Sequence, residues 1–162
     1  MPDGPRYDDD FYAWTQYQAE VLRSLKTRDN RFDREHLAEE IEDLGKSERD
    51  ATQSQITRIL EHFLKLTHSP TDRPRYGWMR SVAEARGVLR KKLSPTLRHD
   101  AEEALASLYE EAREQAGLGL REHGEDAAAA ALPSECPYTL DQILHWGWYP
   151  EPPKPHIDDG NR

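Results

Sequence analysis

Apolar residues recur at three- and four-residue spacing from Phe11 to Ala112, interrupted only by clusters of Pro, Gly, Asn and Asp. Nowhere do they alternate with the period of two that a half-buried strand requires. That periodicity confines the chain to packed helices. A first helix over 11–26 carries Phe11, Trp14, Gln18, Val21, Leu22 and Leu25, and its start is favoured by the carboxylates of Asp8, Asp9 and Asp10. Arg28, Asp29 and Asn30 make a turn. Asp33 caps a second helix whose stripe is Leu37, Ile41, Leu44, Glu48, Ala51, Gln55 and Ile59, broadening to Leu60, Phe63, Leu64 and Leu66. Carried to Ser69 it would be roughly 54 Å long at ~1.5 Å per residue. Gly45 is where it is expected to kink, because glycine costs about 1 kcal/mol in a helix interior.

A third helix over 77–93 aligns Met79, Val82, Arg86, Leu89 and Leu93. Ser94 and Pro95 are a cap and a first-turn proline, so they open a fourth helix with Leu97, Ala101, Ala104, Leu105, Leu108 and Ala112 on one face. Gly117 and Gly119 are expected to end it, leaving a polar loop over 118–125. Two short helices follow, one on the alanines 127–131 and one opened by the Thr139/Gln142 capping box. The expected fold is all-α: an antiparallel, up-down four-helix bundle with two short C-terminal helices. Residues 1–150 read as one domain, and 151–162 as a proline-rich, flexible tail.

Charge is sorted along this framework. Residues 33–50 carry eight acidic and three basic side chains, whereas residues 73–92 carry seven basic and one acidic. Each block has one charge inside its own apolar stripe, Glu48 and Arg86. Charges there must be paired, hydrated or functional. If the second and third helices form a hairpin across the turn at 70–75, Arg86 falls opposite Ile59, about 16 Å along the axis from Glu48. A direct pair is out of reach. Arg86 is expected to meet Glu102 or Glu103, and Glu48 to meet polar groups of the first helix.

The candidate binding residues are Glu40, Glu48, Trp78, Arg80 and Arg86. Arg73, Arg75, Arg80, Arg90, Lys91 and Lys92, with Tyr76 and Trp78 nearby, have the composition of a nucleic-acid face, since arginines hold phosphates and aromatics stack bases. The net charge of −9 argues against that partner. A metal-dependent enzyme would draw on His36, Glu40 and Glu48, but Glu-x-x-His, the di-metal signature of helical bundles, is absent. No nucleophile elbow, phosphate-binding glycine loop or zinc-ligand spacing occurs. The lone Cys136 has no basic partner near it in sequence. The reading is therefore a binding or interaction module without catalytic residues, metal or cofactor. It would self-associate through its acidic (33–50) and basic (73–92) faces. No apolar run approaches eighteen residues and no secretory leader is evident, so a cytoplasmic protein that avoids membranes is expected.

Three segments carry a family resemblance. They are the Phe11–Trp14 start of the first helix, the EEIEDLGKS stretch from Glu39 to Ser47, and the ECPY box from Glu135 to Tyr138. Together they resemble the bacterial domain-of-unknown-function family twenty-nine, over roughly residues 7–150. The alanine-containing loop before ECPY is longer than the family's pattern leads one to expect. The resemblance implies an all-helical bacterial protein and assigns no activity.

Overall fold

A computed structural model describes residues 3–154. Among these residues the regular structure is entirely helical, in six elements: α1 (Phe11–Ser24), α2 (Arg34–His68), α3 (Arg75–Lys92), α4 (Pro95–Glu122), α5 (Asp126–Ala130) and α6 (Leu140–Leu144). Residues 151–154 have no regular structure and are exposed, and the rest of the expected tail, 155–162, lies outside the described residues. The chain partitions into two compact units: Met1–Gln55 with Val88–Ala104, and Ile56–Gly87 with Leu105–Arg162.

In the first unit α1 lies antiparallel to the first half of α2. Gln16 Nε2 donates to Glu42 O at 3.2 Å, Arg23 pairs with Glu42 at 2.6 Å, and Arg34 Nη1 donates to Leu25 O at 2.7 Å. The two helices approach through small residues. Ala19, Ala38, Thr15 and Thr52 are fully buried. A Cβ on Gly45 would collide with Thr15 Oγ1 and lie 2.7 Å from Gln16 Nε2. α2 thus runs unbroken through Gly45, whose missing side chain serves close packing. The phase of α2 also differs from the expected stripe: Ala38, Gly45 and Thr52 face inward, and Leu37 and Leu44 are exposed. Asp10 caps α1 by accepting from Ala13 N, and its other oxygen accepts from Thr96 N at the start of α4. These bonds hold its pKa below the usual carboxylate value against the opposing effect of burial. Glu48 meets Lys92 at 3.5 Å, not the polar groups of the first helix.

The second unit holds the larger core. Ile56, Ile59, Leu60, Phe63, Leu64 and Leu66 of α2 are fully buried, as are Val82, Ala112, Ala116 and Ile143. The α2–α3 hairpin is fixed by Arg75 Nη1 donating to Leu66 O at 3.0 Å. The ECPY box is a core plug. Tyr138 stacks edge-on against Phe63 and Trp148, its hydroxyl lies 2.7 Å from Thr67 Oγ1, and it donates to Phe63 O. Burial pushes that phenol up to about 12. Cys136 is tied in by a 3.3 Å bond from Sγ to Tyr138 O. α6 has the expected capping box between Thr139 and Gln142.

Arg86 is 2% exposed and departs from expectation. In place of a helix-four carboxylate it uses backbone. Nε donates to Ile143 O at 2.8 Å and Nη2 to Gln142 O at 3.0 Å, so the guanidinium closes the C-terminus of α6. Its cation lies 5.5 Å from the Phe63 ring centroid and 5.2 Å from that of Tyr149. Among the described residues Nη1 has no partner. Burial pulls the Arg86 pKa down.

α4 continues past Gly117 and Gly119 to Glu122. Its stop is Gly124, which, unlike Gly117 and Gly119, has a positive φ (75°). Gly124 N donates to Arg121 O and Glu125 N to Leu120 O, both at 2.9 Å. This is the double bond pattern of a Schellman ending, which a left-handed residue makes possible. The expected 118–125 loop shrinks to three residues.

Candidate functional site

The Schellman ending sets Glu125 beside the turn that follows α2. Glu125 Oε1 accepts from Ser69 Oγ at 2.7 Å and from Thr71 Oγ1 at 2.5 Å, while Thr71 N donates to Ser69 Oγ. Next to these lies a cleft of about 450 Å³ inside the second unit. Trp78 and Pro74 form one wall, and Gly119, Leu120 and His123 of the α4 end form the other. Lys65, Thr71, Arg73 and Glu125 supply its polar groups.

Each polar group has a distinct state. Lys65 is held by Glu61 at 2.6 Å, with both side chains mostly buried. A Cβ at position 119 would lie 3.0 Å from Lys65 Cε and Nζ, so a glycine there gives the lysine stem room against α4. Glu125 is occupied by two hydroxyls. His123 Nδ1 lies 2.9 Å from Gly119 O. A carbonyl can only accept, so Nδ1 carries a proton and donates to it. Arg73 is exposed and, among the described residues, has no counter-ion. Trp78 is half-buried and presents its indole to the cleft. One unpaired guanidinium beside an aromatic face and a mixed polar floor can anchor an anionic group and stack a planar one. A second recess of about 430 Å³ along α4, lined by Glu110, Arg113, Glu114 and Arg121 among others, has no aromatic wall.

Of the five residues singled out from sequence, Trp78 alone lines the cleft. Arg80 is exposed on α3, Arg86 is buried under α6, and Glu40 and Glu48 belong to the first unit. Of the basic residues over 73–92, Arg75, Arg86 and Lys92 are committed to Leu66 O, to the end of α6 and to Glu48. His36 lies 2.7 Å from Asp33, the residue just before its own helix. Among the described residues no three His, Cys, Asp or Glu side chains converge as a metal site would require. Lys65, His123 and Glu125 escaped the sequence reading. They come from segments more than fifty residues apart, and a residue pair flanking a helix-ending glycine was the only local signal.

No helix among the described residues is long and apolar enough to cross a membrane. The fold is similar to that of a solved α-helical protein of unknown function from Rhodospirillum rubrum. The two share 27% identity over 90% of this chain and 93% of that one, with a TM-score of 0.80. No curated protein matches the chain. The model of the domain of unknown function DUF29 matches residues 6–149, close to the extent over which the EEIEDLGKS and ECPY segments suggested that resemblance, and the chain belongs to the DUF29 family.

Proposed function

We propose that this protein is a non-catalytic binding module whose cleft accepts a small planar molecule bearing a carboxylate or phosphate. The observation that carries this reading is Arg73, a guanidinium without a counter-ion among the described residues, in the lining of a recess that Trp78 also lines. Arginine's fork matches either oxyanion, and the indole adds stacking area. Lys65 is paired with Glu61 and Glu125 accepts from two hydroxyls, which leaves Arg73 as the anchor for an anion. We also read residues 1–150 as one domain built on an up-down bundle, in a bacterial, cytoplasmic protein. The single Cys136 suits a reducing compartment.

Calorimetric titration of the full chain with AMP and with indole-3-acetate, two planar anions, tests the reading. At least one is expected to bind with a Kd between about 10 μM and 1 mM. Arg73→Gln should weaken that binding tenfold or more, and Glu40→Gln should leave it unchanged. Failure of both probes to bind at millimolar concentration, or equal binding by the Arg73→Gln variant, would overturn it.

A further inference from the structure

The first unit ends in an overhang. α3 stops at Lys92, beside Glu48, and α4 begins with Thr96 N on Asp10. The α3 and α4 segments of this unit therefore reach only the level of residues 48–50 of α2. Residues 34–47, about 21 Å of helix, continue past them, and among the described helices of this unit α1 alone runs alongside. α1 and α2 close on each other through Thr15, Ala19, Ala38 and Gly45. In antiparallel right-handed helices, the residues next to those contacts turn both flanking stripes to the same side. On that side α1 presents Val21 and Leu25, α2 presents Leu37 and Leu44, and the connection adds Phe32. All five are exposed, Leu44 to 55% and Leu25 to 45%. They flank the buried small-residue seam, and among the described residues of the unit none buries them.

The patch amounts to roughly a few hundred Å², the size of the largest apolar patch on a typical monomer, which is often functional. Its surroundings indicate the occupant. The tip, residues 26–34, carries four basic and two acidic side chains. The α2 shaft behind it, residues 35–50, carries seven acidic and two basic. An inverted second copy sets each basic tip over the other chain's acidic shaft, whereas a copy in the same direction opposes like charges. Two such hairpins make a four-helix layer with both apolar stripes inside. Since slightly over half of a protein interface is apolar, a patch of this size with its charged rim approaches the ~800 Å² per chain of a standard dimer.

We infer that the α1–α2 overhang binds the overhang of a second copy of this chain, inverted about a two-fold axis near Ile41. This surface is separate from the cleft and independent of what the cleft binds. Sedimentation equilibrium of the full chain at 1–100 μM (about the range for modest dimers) should give twice the 18.8 kDa chain mass. The double variant Leu37→Lys/Leu44→Lys should be monomeric with unchanged helicity, because both side chains are exposed. In a Cys136→Ser background, Ile41→Cys should cross-link to its mate under oxidation and Arg28→Cys should not. A monomeric wild type, a dimer untouched by the lysine pair, or self-cross-linking at position 28 in place of 41 would each overturn the proposal. A heterologous protein held on this face by a monomeric chain would do the same.

Discussion

Replacing Arg86 separates three contributions that the fold combines in one side chain. Arg86→Met keeps most of the packing volume and removes the charge. It orphans the carbonyls of Gln142 and Ile143 at the end of α6, at about 1–3 kcal/mol each where water cannot reach them. The two cation–π contacts are worth about 1 kcal/mol each. Against these losses stands relief from burying a cation whose Nη1 has no partner, which is of the order of several kcal/mol. The net expectation is a moderate loss of about 1–3 kcal/mol. Arg86→Lys keeps the charge, loses the planar fork and places a more strongly hydrated ammonium in the same space, so it should cost more than methionine. Urea unfolding by circular dichroism measures both. Hydrogen exchange should show amides near residues 140–149 losing protection first in each variant. A lysine variant as stable as wild type alongside a severely damaged methionine variant would refute the reasoning, because charge and not the two-carbonyl fork would then be the requirement.

Gly45→Ala offers a reversal of sign. On an open helix face it would stabilise by about 1 kcal/mol. Here the new methyl meets Thr15 and Gln16, so thermal melts should show destabilisation of about 2 kcal/mol or more. Acid sensitivity should come partly from His62, whose burial holds its pKa down at about 4. The unfolded chain takes up that proton near pH 6.5, so stability falls as pH drops from 6.5 towards 4, by at most ~3 kcal/mol. His68, also depressed by burial, adds in the same direction, while exposed His36, raised by Asp33, acts in the opposite one. His62→Gln should flatten the stability profile between pH 4 and 6.5, and an unaltered slope would contradict the assignment.

The helical elements were legible because their periodicity, caps and proline starts are local. What escaped depends on partners. The Leu37–Ile41–Leu44 stripe looks like a buried face until Gly45 and Ala38 let α1 approach so closely that the small residues become the interior. Gly117 and Gly119 resemble helix stops as much as Gly124 does. The difference lies in φ, and Gly119 is retained beside Lys65. Arg86 stood out as a charge in an apolar stripe, but its partners are carbonyls of a five-residue helix more than fifty positions away, which no side-chain pattern encodes. For the cleft, Trp78 was visible as an aromatic among arginines. The residues facing it come from the ends of α2 and α4, and their convergence is a property of the folded unit.

The most direct test of the central claim is the indole N–H resonance of Trp78, assigned by its loss in Trp78→Phe and followed by ¹⁵N NMR during titration with AMP and then indole-3-acetate. A saturable shift of that resonance with at least one probe, abolished in Arg73→Gln while the other three indoles stay still, is the predicted result. No shift of Trp78 at saturating probe, or an equal shift without Arg73, would contradict the assignment of this cleft as the binding site.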